Sequence, residues 1–394
     1  MDFSKFKKST TAVWGGEGDV HQVGAVTTPI VNSVAFAYND LDKWHNVSLG
    51  KEDGYIYSRN TNPTVAALEE KIRLLEGAEA ATSFATGMAA ISNTLYTFLT
   101  SGKRVVSQKD NYGGTSKIFL DFLPLYNVDV QLCDTTDFEA FEREIAKGCD
   151  LLYLETPTNP TLKVVDIKRL ATAAKKVGAI VVVDNTFATP INQNPLQLGA
   201  DLVLHSATKF LCGHSDAMGG VVAGKKELVQ KIYQYREING ASLQADPAYM
   251  IARGMKTLAL RIERQNASAL KIAHYLQGHS KVESVFYPGL PTHPGHDIAK
   301  QQMPGGFGAI MSFSLNGGYD YVKKLLTSLE LVHLAASLGS VSTLAGPPRT
   351  TSHVELTEAQ RKLLGIPESL IRYSVGIENV DDLLQDLDTA LAKL

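Results

Sequence analysis

Three short apolar runs in this sequence each end on residues able to do chemistry. Leu151–Leu154 leads to Asn159, Ile180–Val183 leads to Asp184, and Leu202–Leu204 leads to Ser206, Thr208 and Lys209. A lysine amine can attack a carbonyl carbon and, once neutral, can move protons. A carboxylate can hold a protonated nitrogen, and small hydroxyls suit the oxygens of an anion. Thr86-Gly87-Met88 opens an apolar helical stretch, and the backbone N–H groups of a helix N-terminus bind phosphate without special side chains. No GxxxxGK[ST] run occurs, so a P-loop is excluded, and Gly305-Gly306-Phe307-Gly308 does not open a βαβ unit that could carry a dinucleotide. Ser206 beside His205 could be read as a hydrolase pair. That reading lacks a GxSxG elbow and leaves Asp184 and Lys209 without a task.

The elements that must position these residues read as alternating strands and helices. The Leu151 run ends in the turn-rich Thr156-Pro157-Thr158-Asn159-Pro160. Asp166 then caps a helix with Ile167, Leu170, Ala174 and Val177 on one face, and Gly178 stops it. An earlier helix, with Thr64 as its expected N-cap, carries Leu68, Ile72 and Leu75 and stops at Gly77. Near-continuous apolar strands separated by amphipathic helices predict an α/β fold with a mostly parallel sheet covered on both faces. Ligands bind beyond the carboxyl ends of such strands. The first ~60 residues lack periodicity and read as an irregular arm. From about residue 250 the pattern changes to a long helix over 247–276, strand-like Ala309–Phe313 and Leu370–Val375, and a terminal amphipathic helix. That is a smaller α+β C-terminal domain.

Composition narrows the class. The 394 residues are 44% hydrophobic and 20% charged, with net charge −3 and no basic block or acidic tail. A nucleic-acid partner is therefore not expected. The most apolar stretch, Ala179–Val183, is far short of the ~20 residues that span a bilayer, and no apolar segment follows the N-terminal lysines as a secretory signal requires. The three cysteines, Cys133, Cys149 and Cys212, form no CxxC pair, so neither a disulfide framework nor a metal site is expected. Cys212 reads as a small buried packing residue. A cytoplasmic enzyme of two or three domains is the expectation.

A phosphate cradle, a lysine, a strand-end aspartate and a nearby aromatic are together the parts that hold pyridoxal 5′-phosphate (PLP). Longer motifs agree. Ser206-Ala207-Thr208-Lys209-Phe210 with Gly213-His214-Ser215-Asp216 closely resembles the lysine segment of the Cys/Met metabolism PLP-dependent enzymes. Tyr57–Thr64 (YSRNTNPT), Tyr112-Gly113-Gly114-Thr115, Glu155–Pro160 (ETPTNP) and Val183-Asp184-Asn185-Thr186 match the same family. So do Arg253–Leu258 (RGMKTL) and Ile371–Gly376 (IRYSVG), in family order, from about residue 13 to residue 390.

This resemblance implies the type I fold of PLP-dependent transferases, built on a mostly parallel seven-stranded sheet. Residues 1–60 would form an arm reaching the neighbouring subunit's site, 61–250 the cofactor-binding domain and 251–394 the small domain. Lys209 corresponds to the lysine that condenses with the cofactor's aldehyde and shuttles protons. Asp184 corresponds to the partner of the pyridine nitrogen, Asn159 to that of the phenolic oxygen, and Gly87, Met88, Ser206 and Thr208 to the phosphate cradle. Tyr57 and Arg59 correspond to phosphate ligands supplied by the neighbouring subunit, which makes a dimer the smallest complete unit and a tetramer the usual assembly. Tyr112 matches the aromatic that stacks on the cofactor ring and assists the leaving group. Arg372 matches the clamp for the substrate α-carboxylate, with Ser337 as its helper. The implied chemistry is γ- or β-elimination on sulfur-containing amino acids, of the methionine or cystathionine γ-lyase kind. The alternative is γ-replacement by a cystathionine γ-synthase or homoserine-ester sulfhydrylase. Ala336 stands where cystathionine-specialised members carry a glutamate, and that favours a lyase. Gly114 stands where methionine γ-lyases often carry a cysteine, and Lys117 where several cystathionine enzymes place an arginine.

Overall fold

The computed structural model describes residues 2–17, 24–354 and 357–394. Its larger sheet contains β1 (Ala80–Phe84), β2 (Arg104–Gln108), β3 (Asp129–Cys133), β4 (Leu151–Glu155), β5 (Ile180–Asp184), β6 (Leu202–Ser206) and β7 (Gly220–Gly224). Their order is β1-β7-β6-β5-β4-β2-β3, and β7 alone runs against the rest. Alternation along the strands explains why both faces are covered. Leu151, Tyr153, Val182, Leu202 and Leu204 pack on one side with Ile91 and Leu95 of helix Gly87–Phe98. Leu152, Leu154, Val181 and Val183 pack on the other, with Phe141 and Leu170 from helices Phe138–Ala146 and Ile167–Lys176. Val203 and Val221 face helices Pro63–Glu76 and Ala245–Met255.

A second sheet is built from β8 (Val282–Phe286), β9 (Ile310–Leu315), β10 (His333–Leu334), β11 (Leu344–Gly346) and β12 (Leu370–Ser374), in the order β10-β11-β12-β9-β8. Met311, Phe313, Ile371 and Tyr373 pack there on helices Leu258–Gln277, Gly318–Ser328 and Val380–Ala392. No helix among the described residues is long and apolar enough to cross a membrane.

Three local expectations are corrected. The helix of residues 63–76 is capped by Asn62, whose side chain accepts from the Thr64 N–H, with Pro63 in the first turn. Thr64 is not the cap. Its hydroxyl donates to Pro29 O at 2.8 Å and accepts from Val31 N–H at 2.9 Å, which ties the N-terminal segment to the helix start. The first 60 residues are not wholly irregular, since they contain helices Lys8–Trp14 and Leu41–Ser48. The first is fixed by tertiary bonds rather than periodicity, as Lys71 Nζ donates to Ala12 O and Val13 O. The long helix expected over 247–276 is two helices, Ala245–Met255 and Leu258–Gln277, broken at Lys256-Thr257. Gly254 lies against the Cys212 carbonyl, 2.0 Å from where a Cβ would stand, so the first helix can approach the Lys209 loop only at a glycine.

Candidate active site

The carboxyl ends of β1, β2, β4, β5 and β6 meet β12 around a cavity of about 240 Å³. Gly87, Met88, Tyr112, Asn159, Asp184, Ser206, Thr208, Lys209, Ser337 and Arg372 all line it, although they are scattered over nearly three hundred residues of sequence. Tyr57 and Arg59 do not. Tyr57 is 42% exposed, and the Arg59 guanidinium lies over its ring, 5.4 Å from the centroid.

On one side of the cavity stands the N-terminus of helix Gly87–Phe98. Thr86 caps it, its Oγ1 accepting the Ala89 N–H at 3.0 Å. The amides of Gly87 and Met88 have no acceptor within the helix, as first-turn amides never do. A Cβ on residue 87 would stand 2.7 Å from Ser206 Cβ and Oγ, so glycine is what lets the helix start meet the end of β6. These amides and the Ser206 hydroxyl form a donor set suited to a phosphate, while the Thr208 hydroxyl beside them donates to Gly219 O at 3.3 Å.

Asp184 ends β5. Its Oδ1 accepts from the Thr186 N–H at 3.0 Å and the Thr186 hydroxyl at 2.5 Å, and Tyr153 OH lies 3.5 Å from Oδ2. Glu155, its register partner on β4, is also buried and also lines the cavity. Its carboxylate accepts the Tyr112 N–H at 2.7 Å and the Asn159 N–H at 3.3 Å. Burial, with Asp184 beside it, pushes the Glu155 carboxyl well above the usual carboxylate range. Burial raises Asp184 as well, while the two Thr186 bonds oppose that rise and favour its ionised form. An anion at the strand end, facing a cavity with a phosphate cradle and a lysine, fits the protonated nitrogen of a pyridine ring.

Lys209 follows β6 on a turn, its Nζ donating to Ser337 Oγ at 3.2 Å. Burial, and then the charge of Arg372, lower its amine to about 8. Arg372 rises from β12. It donates through one terminal nitrogen to Asn159 Oδ1 at 3.0 Å and through the other to Ser337 O at 2.9 Å. A guanidinium has five N–H groups, so donors remain for a ligand carboxylate. The bond to Asn159 joins the second sheet to the first across 213 residues of sequence. Ile91, Phe187, Ala336 and Leu338 supply apolar wall.

The sequence reading missed Glu155, Thr186 and Ile91. Glu155 sits inside the matched ETPTNP run, and its place as the last residue of a buried strand was the available signal. Lys117 is exposed and is not among the lining residues. Gly114 is crowded, since a Cβ there would lie 2.7 Å from Met88 Sδ and 3.0 Å from Tyr112 Cε1. His205 serves no hydrolase pair, because its Nε2 is bound to buried Glu76. Cys212 is fully buried, as expected of a packing residue.

Known proteins resemble the chain over its whole length. The chain is 42% identical to an L-methionine gamma-lyase of Fusobacterium nucleatum subsp. polymorphum, covering 100% of both chains. It is 41% identical to a cystathionine gamma-lyase of Bacillus subtilis, over 98% of this chain and 100% of the relative. Among solved structures, the metB protein of Corynebacterium glutamicum superposes with a TM-score of 0.94 at 38% identity, covering 100% of both chains. A cystathionine gamma synthase of Xanthomonas oryzae pv. oryzae, in complex with aminoacrylate and cysteine, gives 0.93 at 38% identity over 98% of each chain. Residues 9–392 match the Cys/Met metabolism PLP-dependent enzyme family, and the chain belongs to that family.

Proposed function

We propose that the protein catalyses γ-elimination on a sulfur-containing amino acid, releasing 2-oxobutanoate, ammonia and a thiol. One observation carries this reading. Ala336, Leu338, Ile91 and Phe187 give the cavity apolar wall beside its polar groups, and the carboxylates lining it, Glu155 and Asp184, are already engaged. A thioether tail suits that wall, whereas the distal ammonium of a longer substrate finds no uncommitted carboxylate among the described lining residues.

Arg372 takes the substrate α-carboxylate with its remaining N–H groups, assisted by Ser337, and so fixes the direction of the Cα–H bond. Lys209 would anchor the cofactor, and its amine, when free, would remove the α-proton and then carry a proton from Cβ. The cofactor's pyridine ring, when bound, accepts the electron pair that deprotonation leaves. Asp184 would hold the ring nitrogen in its protonated form, Asn159 would partner the phenolic oxygen, and Tyr112 would stack on the ring and donate a proton to the departing sulfur. Gly87, Met88, Ser206 and Thr208 hold the phosphate. Exposed Tyr57 and Arg59 reach the phosphate of a neighbouring subunit's site, so the working unit is a homodimer, assembled in pairs as a homotetramer.

Lys209 must be neutral to attack the aldehyde, and its lowered pKa makes that accessible. Apoprotein mixed with PLP is expected to capture it faster as pH rises, about tenfold per unit well below pH 8, and to level off above about 8. Stopped-flow absorbance checks this, and a rate still climbing at pH 10 would contradict the lowered value.

The second reading is γ-replacement. It is supported by the likeness to a cystathionine gamma synthase. Release of 2-oxobutanoate from L-methionine, L-homocysteine and L-cystathionine is to be compared with cystathionine formation from an O-acylhomoserine plus cysteine. The lyase reading predicts the larger kcat/KM for release, and a roughly tenfold advantage for cystathionine formation would overturn it.

A further inference from the structure

Behind the cavity lies a buried pair that none of the chemistry above uses. Glu76 is the last residue of helix Pro63–Glu76 and is 1% exposed. A helix C-terminus carries partial negative charge, so a carboxylate buried there needs strong partners to persist. It has them. Its Oε1 lies 2.5 Å from His205 Nε2 and accepts from Asn185 Nδ2 at 3.2 Å, and its Oε2 accepts from Asn194 Nδ2 at 3.2 Å. Lys8 donates in turn to Asn194 Oδ1 and to Pro190 O.

What those partners adjoin gives the pair its meaning. Asn185 directly follows Asp184. Its backbone N–H donates to Leu204 O at 2.9 Å, while its side chain donates to Gln193 O at 3.1 Å and accepts from Gln193 Nε2 at 2.9 Å. His205 lies between Leu204, the register partner of Asp184, and Ser206, which lines the cavity. Glu76 therefore grips the residue after Asp184 and the residue before Ser206 through one carboxylate oxygen, from the face of the sheet opposite Leu204. The ends of β5 and β6 are clamped in register at the point where both contribute to the cavity. Thr186 makes a second tie on the cavity side, its hydroxyl accepting the Ser206 N–H at 2.9 Å.

We infer that Glu76 and His205 are positioning residues, which hold Asp184 and Ser206 at the spacing that the ring nitrogen and phosphate of the cofactor require. This rests on the proposed roles of Asp184 and Ser206. Neither Glu76 nor His205 lines the cavity, so they act through the strand ends they fix, and His205 in addition lies close enough to Asp184 to favour its ionised form.

The test compares His205→Phe, His205→Gln, Glu76→Gln and Asp184→Asn. Each is measured for PLP affinity of the apoprotein by equilibrium dialysis, for kcat and KM of the holoenzyme, and for thermal unfolding. His205→Phe removes the donor to Glu76 and is expected to weaken PLP binding and lower kcat by about tenfold or more. KM should stay within roughly twofold, because the Arg372 clamp is untouched. His205→Gln restores an N–H donor and should recover PLP affinity and kcat to within about threefold of the parent. Glu76→Gln keeps the volume and is expected to weaken PLP binding about fivefold, which keeps the test decisive if His205→Phe does not fold. Unchanged PLP affinity in folded His205→Phe or Glu76→Gln overturns the inference, as does a His205→Gln variant that falls as far as His205→Phe. Asp184→Asn separates the two levels. If it loses PLP affinity while the others do not, the positioning role alone fails, and if it too is unchanged, the underlying reading of the site fails.

Discussion

Lys209→Ala is expected to leave the protein folded and to lower turnover by about three orders of magnitude or more, because one side chain is assigned both covalent anchorage and proton transfer. The fold should tolerate the change. The amine makes one bond of 3.2 Å to Ser337 Oγ, and it is buried at a cost that lowers its pKa to about 8. Removing it relieves that cost, so the variant's thermal midpoint without cofactor should not fall. The measurement is steady-state 2-oxobutanoate release beside a thermal melt. A variant that keeps near-parental turnover would remove Lys209 from the centre of the site.

Arg59→Ala is expected to raise the PLP dissociation constant by about tenfold or more, since a charge-assisted bond to phosphate would be lost. In this protomer Arg59 is outside the cavity, and its guanidinium rests over exposed Tyr57. A site shared between subunits has a sharper signature than lost affinity. Mixing Arg59→Ala subunits with Lys209→Ala subunits should regenerate dimers in which one site carries both parental residues, so part of the activity should return. Arg59→Ala and Lys209→Ala subunits that demonstrably exchange, at a PLP concentration where neither variant alone is active, without any recovery would rule out a site built across the interface.

The parts of the site that were legible in the sequence are those whose function and local pattern coincide. Asp184 and Lys209 could be found because Ile180–Val183 and Leu202–Leu204 are apolar runs in buried strands, and polar residues just beyond such runs lie at the ligand crevice. The cradle at Gly87 was visible for the same reason, as the first turn of an apolar helix. What was not legible depends on distant chain. Thr64 and Asn62 are both good caps by type, and the choice between them was made by Pro29 and Val31, which occupy the threonine hydroxyl. The break at Lys256-Thr257 interrupts a pattern that reads as one continuous helix, just after Gly254 meets the Cys212 carbonyl. Glu155 and Glu76 look alike in sequence, each a glutamate closing an apolar segment. Only the assembled fold distinguishes the one that faces the cavity from the one that clamps its rear.

The most direct measurement of the account is reduction of the PLP-loaded protein with borohydride, followed by proteolysis and mass mapping of the phosphopyridoxyl group. The group is expected on the peptide containing Lys209, at close to one per chain, and the reduced protein should be inactive. Another lysine, Lys71, is also buried with its amine lowered to about 8, so depressed basicity alone does not single out Lys209, whereas the cradle, Asp184 and the cavity do. A label on Lys71, or spread over several lysines with Lys209 unmodified, would contradict the assignment of this cavity as the active site.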